Sequence, residues 1–564
     1  MRMYVCRMLI FGCLLSAGTL PAAGQAARFV DHSLLVAPDY PCTWPHPAFP
    51  GFLIHHVRTI GPESIYHIDT LQIDGNTGTQ LDVPPHSVVR PELKRPKSGP
   101  FGNSFTDVIE PWQFCGEACV VDIRDLLDKA PRGFSPLVKR SHVMRFEEQH
   151  RTVGPGDAVL FRSDYSDKYY RPLPEGHRFI ADILDRKAPG YPDPDPDCME
   201  YLASRKVMIL GTDSASMGPL PTLAEPTHYA GLKYGMVWTE SGTAYGKLPP
   251  TGAFYCTLGP RHKMGQYGEI RAFSIVGGDL APRLIASARA KRAIDLSPVL
   301  EQGMPVSHPG ASPGRHRQPY LKVDFQYAET LDLYNHLHLM DSQSGTSLVP
   351  PAYALPAPGQ EVTYSPTARG WLESYEARYG PRGTSNMTTE QVPIGWTCGN
   401  ARVIDVRFLV GSLNREQLPD SPEITVQHVQ SWEEEHSALD PGDVVIFQTG
   451  HIDKYYRAAP NDSGMWTDPL AGSTEGWPAV GPDAIVYLKS KGIRCVATDA
   501  PDLGGVNQQR AAMTYWALGS REMVGVEFLH NVGAIPEKGS PYFLFAALKI
   551  RDCHGGPGRA IVLY

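Results

Sequence analysis

Pro155-Gly156-Asp157-Ala158-Val159-Leu160-Phe161 recurs 286 residues later as Pro441-Gly442-Asp443-Val444-Val445-Ile446-Phe447. At the same offset, the sequence Asp-Lys-Tyr-Tyr-Arg stands at 167–171 and again at 453–457. Self-similarity at one fixed spacing is typical of a duplicated domain. The chain of 564 residues is long enough for two large cores. The sequence therefore predicts two tandem copies of one domain.

The matching segments also set the predicted boundaries of the two copies. The first copy is predicted at residues 28–278 and the second at 290–564. A short connector, predicted at 279–289, joins them and has a composition compatible with a helix.

The local pattern of both copies predicts a mixed fold. Short β-branched runs such as 120–123 and 158–161 lie between Pro and Gly turns, and such runs predict strands. Residues 197–206 and 483–491 have helical spacing and each lead into an apolar run. Strands outnumber helices, so we expect the α+β class, with the strand-rich domain present twice.

The charge of the chain argues against a nucleic-acid partner. Lys and Arg number 52 against 60 Asp and Glu, which gives a formal net charge of −8. Proteins that bind nucleic acid usually carry a basic patch or stripe, and no block of five like charges occurs in this sequence. We expect a small-molecule substrate instead.

The first 26 residues have the layout of a secretory signal peptide. Arg2 and Arg7 precede the apolar run at 9–15, and small residues follow up to Ala26. The apolar run is well short of the ~20 residues that a membrane-spanning helix needs, and no later segment comes near that length. The sequence predicts an exported protein, periplasmic or extracellular, without a transmembrane segment; an uncleaved interfacial anchor is the alternative.

The segment Asn76-Thr77-Gly78-Thr79-Gln80-Leu81-Asp82-Val83-Pro84-Pro85-His86 carries the candidate chemistry. In an extended strand, residues 76, 78, 80, 82, 84 and 86 would direct their side chains to one side. The segment resembles the signature His-x-Gly-Thr-His-x-Asp-x-Pro-x-His of the cyclase family that includes bacterial kynurenine formamidase and isatin hydrolase. The two copies of this resemblance cover nearly the whole chain after the signal peptide.

The resemblance implies a metal-dependent hydrolase with the strand-rich β/β/α fold of the cyclases, which opens a small amide, formamide or cyclic-amide C–N bond. Asp82 matches a metal ligand of the signature, and the distal pair His228 and Glu240 matches the residues that complete a second metal position in the formamidases. His86 matches the histidine that acts on the bound water or substrate. A divalent metal is implied, zinc or manganese first.

This chain departs from the signature at two metal positions. Asn76 and Gln80 stand where the family has histidines. Amide oxygens suit hard cations and are poor ligands of zinc. We predict that these two residues are weaker ligands or orienting groups, and the identity of the metal stays open.

The second copy has lost these residues. With Gly345-Thr346 aligned on Gly78-Thr79, the positions of Asp82 and His86 are taken by Val349 and Tyr353. Glu527 matches Glu240, but the place of His228 is taken by Tyr515. Valine cannot bind a metal and tyrosine is a poor base at neutral pH. We predict that the second copy is a built-in partner in an intramolecular pseudo-dimer, with a homo-oligomer also possible.

Two readings from other functional classes stay open. The chain could be a catalytically inactive protein that captures a small ligand, or a scaffold in which the two repeats only pair. Outside the signature, His336 and His338 share a strand face and could bind a metal, although a partly exposed strand is the simpler interpretation.

Overall fold

A computed structural model of the chain describes residues 27–45, 50–306 and 320–564. The predicted signal peptide, residues 1–26, lies outside the described residues. Within the described ranges, the helices are all too short or too polar to cross a membrane.

The first half of the described chain is rich in short strands. Its strands are β1 (Arg28–Asp31), β2 (Leu53–Arg58), β3 (Ile68–Asp74), β4 (Gln80–Asp82), β5 (Cys115–Asp122), β6 (Leu137–Val138), β7 (Asp157–Arg162), β8 (Asp193–Pro194), β9 (Ile209–Thr212), β10 (Val237–Glu240), β11 (Ala253–Leu258), β12 (Tyr267–Glu269) and β13 (Arg271–Val276). Its helices are α1 (Arg140–Gln149), α2 (Tyr165–Tyr169), α3 (Ala181–Leu184), α4 (Pro196–Ser204), α5 (Ala224–Leu232) and α6 (Leu280–Arg289).

The second half repeats much of this order. Its strands are β14 (Ala293–Asp295), β15 (Leu321–Ala328), β16 (Leu333–Asp341), β17 (Ser347–Val349), β18 (Cys398–Asp405), β19 (Glu423–Ile424), β20 (Val444–Gln448), β21 (Ala479–Val480), β22 (Cys495–Thr498), β23 (Val524–Glu527), β24 (Tyr542–Ala547) and β25 (Gly556–Leu563). Its helices are α7 (Pro366–Tyr379), α8 (Val426–Glu435), α9 (His451–Tyr455), α10 (Thr467–Leu470), α11 (Pro482–Ser490) and α12 (Gln508–Ser520). The mixed, duplicated fold predicted from the sequence is confirmed, including strands β5 and β7 and helices α4 and α11.

Each half contains one large sheet that closes on itself. In the first half the strand order is β1-β13-β11-β5-β7-β9-β10-β4-β12. The four strands from β5 to β10 run parallel, and the others pair antiparallel. Strand β12 lies at one end of this order and β13 lies next to the other end. Because only Ile270 separates β12 from β13, one segment of chain connects the two sides of the sheet. In the second half the single strand β25 pairs with both β17 and β24 and closes the equivalent sheet.

The two halves share a third sheet. It has four strands in the order β15-β16-β3-β2, so two strands come from each half. Its centre is the antiparallel pair β3–β16, in which Leu71 lies opposite Met340 and Gln72 opposite Leu339. Main-chain hydrogen bonds therefore join the halves, and the molecule is an intramolecular pseudo-dimer.

Helix α6 lies between β13, a strand of the first closed sheet, and β14, a strand of the second. Its buried residues Ala281, Leu284, Ile285 and Ala288 follow the i, i+3, i+4, i+7 spacing of an amphipathic helix. They pack into a core that contains side chains of both halves, such as Phe254 of β11 and Leu544 of β24. The helix is thus part of the core that joins the two closed sheets.

We expect the substitution Met340→Ala to lower the free energy of unfolding by about 2–5 kcal/mol, because it leaves a cavity at the buried centre of the shared sheet. Urea unfolding measures the change. Leu53→Ala is the control: Leu53 lies on strand β2 of the same sheet but is 56% exposed, so its change should stay within about 0.5 kcal/mol. Equal effects of the two substitutions would contradict the packing described here.

A second prediction concerns Asp31, which lies within 3.0 Å of Arg271 in its own half and of Lys549 in the other. Burial raises the pKa of Asp31, but the charges of Arg271 and Lys549 outweigh burial and hold the pKa well below its usual range. The carboxylate therefore stabilises the fold above its unfolded pKa of about 3.9, and this contribution is lost as the pH falls through the lower folded pKa.

Asp31→Asn should consequently destabilise the protein at pH 7 by about 1–3 kcal/mol, and the difference from wild type should shrink below about pH 4. Denaturant unfolding at pH 7 and pH 3 measures both differences. Asp185→Asn, at an exposed ion pair with Lys187, should change stability by less than about 1 kcal/mol at either pH. A difference for Asp31→Asn that grows at pH 3 would contradict the account.

Candidate metal centre

The signature segment is not a continuous strand. Only Gln80–Asp82 forms a strand, while Gly78 before it has a φ of +67° and residues Pro84–His86 form a 3-10 turn. Proline fixes φ near −65° and suits the first turn of a helix, which explains why the strand ends here. The expectation that residues 76–86 converge by strand alternation is therefore wrong, and His86 reaches the site through the turn.

Three buried side chains from three different elements meet beside strand β4. Asp82 lies on β4, His228 on helix α5 and Glu240 on β10, and all three are buried. His228 Nε2 is 3.3 Å from Asp82 Oδ2 and 3.3 Å from Glu240 Oε1. We call Asp82, His228 and Glu240 the trio.

The environment of His228 determines which nitrogen faces the carboxylates. Its Nδ1 is 2.7 Å from the carbonyl oxygen of Ala224, which can only accept a hydrogen bond. Nδ1 therefore carries a hydrogen, and Nε2 is the atom presented to Asp82 and Glu240. A metal-binding histidine is commonly oriented by this kind of bond from its second nitrogen.

Two buried carboxylates at this spacing need a positive partner. Burial and the charge of Asp82 raise the pKa of Glu240. Burial lowers the pKa of His228, but its hydrogen bonds to Asp82 and Glu240 outweigh burial and raise it well above the ordinary value. The trio thus attracts one positive charge, which either a proton or a bound cation provides.

The trio fits a divalent metal ion. Ligand atoms about 2.0–2.2 Å from a tetrahedral metal lie roughly 3.3–3.6 Å apart, and the two measured separations of 3.3 Å agree with that spacing. Asp82 Oδ1 is buried and has no hydrogen-bond partner in the described ranges, so one more ligand atom is available. One imidazole and two carboxylates suit zinc or manganese.

Gln80 and Asn76, the two amide residues at histidine positions of the signature, have different hydrogen-bond partners. Gln80 Nε2 donates to Glu240 Oε2 at 2.8 Å, so Gln80 orients one member of the trio. The Asn76 amide nitrogen donates to Asp74 Oδ1 at 3.0 Å. The structure therefore brings Gln80 to the trio and attaches Asn76 to a different carboxylate.

His86 lies beside the trio. Its Nε2 is 3.6 Å from Asp82 Oδ2, and its ring packs edge-on against Tyr267 at 5.0 Å between centroids. The His86 side chain is 18% exposed, against 9% or less for the trio. Burial, and then the charge of His228, lower the pKa of His86 to about 3, so the ring is neutral at pH 7.

Several residues of the site were not found by sequence reasoning. The indole N–H of Trp238 lies 3.2 Å from both Asp82 Oδ2 and Glu240 Oε1, and the backbone N–H of Met217 donates to Glu240 Oε1 at 2.7 Å. Trp238 is two residues before Glu240 on the same strand, so strand alternation could have identified it. The contact of Met217 depends on a loop conformation that no sequence pattern indicates.

The second half also contributes to this region. The hydroxyl of Tyr267 donates to Asn335 Oδ1 at 3.2 Å, and Arg90 Nε donates to Asp332 Oδ2 at 2.7 Å. Asn335 lies on strand β16, and Asp332 lies in the turn that joins β15 to β16. The β15–β16 hairpin of the second half therefore packs beside the trio of the first.

The equivalent position of the second half is aromatic. The Tyr515 hydroxyl donates to Glu527 Oε1 at 2.5 Å, and the Tyr353 ring lies 5.2 Å from the Tyr515 ring. Tyr66 of the first half stacks on Tyr353 at 4.9 Å between centroids. With Val349 in place of Asp82, the second half lacks the donor set of the trio.

The chain is similar in sequence to an isatin hydrolase and to a kynurenine formamidase. Isatin hydrolase of Roseibium aggregatum is 30% identical over 257 residues, which is 44% of this chain and 91% of that protein. Kynurenine formamidase of Salinibacter ruber is 27% identical over 221 residues, which is 39% of this chain and 79% of that protein.

Among solved structures, the chain matches an isatin hydrolase bound to the product analogue thioisatinate, with 19% identity, a TM-score of 0.38, and coverage of 45% of this chain and 93% of that one. Isatin hydrolase A from Ralstonia solanacearum has 21% identity and a TM-score of 0.38, and the match covers 44% of this chain and 92% of that one. A family model described as "Putative cyclase" matches residues 30–219 and again residues 294–504. These two ranges make up more than two thirds of the chain, which therefore belongs to the cyclase family and carries its domain twice.

Proposed function

We propose that the first half is a metal-dependent hydrolase that cleaves the C–N bond of a small amide, formamide or cyclic amide. The observation that carries the proposal is the position of His228 Nε2, 3.3 Å from an oxygen of each of two buried carboxylates. Isatin hydrolase and kynurenine formamidase, both similar to this chain, support the class of reaction. Zinc and manganese are the proposed metals.

The chemistry supplied by a divalent ion in such a site is Lewis acidity, which polarises a carbonyl oxygen and acidifies water. Asp82, His228 and Glu240 would hold the ion. Trp238 and Met217 donate to the carboxylates and fix their orientation, a role that commonly matters 10–100-fold for metal affinity.

His86 is the proposed proton carrier. Its Nε2 lies 3.6 Å from Asp82 Oδ2, and Nδ1 has no hydrogen-bond partner in the described part of the chain. A neutral imidazole can accept a proton at one nitrogen and donate from the other. Tyr267 packs edge-on against the ring and limits its rotation. His86 thus has the placement for exchanging a proton with a substrate held beside the trio.

The second half is proposed to form one wall of the substrate site. Its hairpin supplies Asn335 and Asp332, which bind Tyr267 and Arg90 of the first half. A wall made from a fused second domain excludes water and restricts the size of the substrate. This arrangement favours a small molecule over a polymer.

The proposal includes three further points from the sequence. The domain boundaries are placed at 28–278 and 290–564, with the connector at 279–289 overlapping helix α6. Export is proposed from the signal-peptide layout of residues 1–26. The third point is a homo-oligomer of whole chains beyond the intramolecular pair.

A second candidate function is capture of a small ligand without turnover. The observation that favours it is Gln80, whose amide nitrogen is bound to Glu240 at a position where the family signature has a histidine. Under this alternative, the purified protein would retain a ligand and leave it chemically unchanged. His86→Ala would then weaken binding of the ligand, and neither protein would convert it.

The test of the hydrolase is the pair of substitutions Asp82→Ala and His228→Ala. Each should remove the metal ion bound at the trio and lower kcat/KM toward amide substrates by roughly 10³-fold or more, since several kcal/mol of transition-state stabilisation depend on the ion. Metal content by elemental analysis and initial rates with a panel of formamides and cyclic amides measure the two effects.

Tyr515→Phe is the matched control, because Tyr515 occupies the position of His228 in the second half. It should leave both metal content and kcat/KM within about twofold of wild type, a free-energy change of less than about 0.5 kcal/mol. Turnover that survives in Asp82→Ala, or that is lost in Tyr515→Phe, would overturn the assignment of the chemistry to the first half.

A further inference from the structure

A second group of polar side chains lies at the junction of the two halves. It consists of His262 and Glu269 from the first half and Tyr320 and His338 from the second, and we call it the junction cluster. His262 Nε2 lies 2.9 Å from Glu269 Oε1, and His338 Nδ1 lies 3.7 Å from the same oxygen. The two imidazole rings stack with 3.6 Å between their centroids. Two imidazoles from different halves therefore meet at one carboxylate.

The junction cluster is fully enclosed. His262 and Glu269 are each 1% exposed and His338 is 0% exposed, so the interpretation of His338 as part of a partly exposed strand is wrong. Neither ring nitrogen of His338, nor Glu269 Oε2, has a hydrogen-bond partner within the described ranges. A buried polar atom without a partner costs about 1–3 kcal/mol. These unpartnered atoms make the empty cluster unfavourable, and a bound ion would remove that cost.

The duplicated fold provides an internal comparison. With Gly78-Thr79 aligned on Gly345-Thr346, Leu71 of the first half is the counterpart of His338, and the pairing of β3 with β16 agrees with this alignment. The Val36–Ile550 bridge of one junction corresponds to the Leu300–His262 bridge of the other, so Ile550 is the counterpart of His262. By the same registers, Phe52 corresponds to Tyr320 and Pro557 to Glu269.

At the four corresponding positions the other junction has apolar, buried residues, which are Phe52, Leu71, Ile550 and Pro557. The same fold thus accepts apolar side chains at these four positions, although the polar residues His56, Asp69 and His554 lie close by in the other junction. Packing at these four positions consequently does not require the polar side chains of the junction cluster.

The donor set of the junction cluster is that of a transition-metal site. Two imidazoles and one carboxylate bind zinc with an open fourth position. His262 Nε2 and His338 Nδ1 lie 2.9 and 3.7 Å from Glu269 Oε1, close to the roughly 3.3–3.6 Å expected between ligands of one tetrahedral ion. Because the two rings are stacked with 8° between their planes, binding of one ion requires the His338 ring to turn until a nitrogen lone pair points at the ion. The hydroxyl of Tyr320 lies 2.9 Å from His262 Nδ1 and holds the ring with Nε2 toward Glu269.

We propose that His262, Glu269 and His338 form a second metal site, which takes a divalent transition ion of the zinc type and ties the two halves together. Tyr320 acts as a positioning residue that orients His262. The site uses none of the ligands of the trio and does not depend on the proposed hydrolase activity. Because its ligands come from both halves, binding of the ion stabilises the junction.

The test uses the full chain stripped of metal by a chelator and titrated with Zn²⁺, in wild type, Asp82→Ala, His338→Leu and the double variant. Leucine is chosen because Leu71 fills the equivalent position in the other junction, so folding is expected to survive. Zinc stoichiometry is measured by elemental analysis after dialysis, and Tm is measured with and without zinc. His177→Ala, at an exposed histidine, is the control.

Asp82→Ala should keep about one zinc ion per chain and a zinc-dependent rise in Tm, and the double variant should lose both. His338→Leu without zinc should be at least as stable as metal-free wild type, because it removes two unpaired buried nitrogens. Zinc content unchanged by His338→Leu would overturn the proposal. Loss of all zinc in Asp82→Ala alone would also overturn it, whereas equal zinc in wild type and Asp82→Ala would count against the trio and not against the junction site.

Discussion

The antiparallel pairing of Ile68–Asp74 with Leu333–Asp341 is the interaction on which the rest of the structure depends. It joins two complete closed sheets by main-chain hydrogen bonds, which carry no sequence preference and survive divergence of the side chains. The same pairing brings the hairpin of the second half to the trio of the first. A duplicated chain can therefore lose the chemistry of one copy and still need that copy as a wall of the remaining site.

The trio shows how the closed sheet concentrates charge. Strands β4 and β10 are neighbours, so Asp82 and Glu240 are buried on the same face. Two carboxylates enclosed in this way are costly unless a positive group lies between them, and His228 is delivered to that point by helix α5. Trp238 then bridges both carboxylates with a single N–H group. The local geometry is that of a site prepared for a cation.

Much of the fold was predictable from the sequence, and there are physical reasons why the rest was not. The duplication, the strands at 120–123 and 158–161 and the two helices follow from periodicity, which is a local property. The pairing of β3 with β16 is a contact between residues more than 260 positions apart, and no local pattern indicates it. The 3-10 turn at Pro84–His86 was missed because strand alternation was extended through two prolines.

The site itself was predicted in part. The family signature pointed to Asp82, His228 and Glu240, which the structure brings together. It also pointed to Asn76, whose amide nitrogen the structure binds to Asp74. His338 was named as a possible metal ligand, but Trp238 and the other members of the junction cluster were missed, because hydrogen-bonding partners and buried contacts between halves are set by tertiary packing.

The central claim is that Asp82, His228 and Glu240 hold one divalent metal ion. The most direct measurement is anomalous diffraction at the zinc and manganese edges from crystals of the full chain. The account predicts a peak within about 2.0–2.2 Å of His228 Nε2 and of an oxygen of each carboxylate. A protein that diffracts well, contains metal by elemental analysis and shows no peak beside His228 would contradict it.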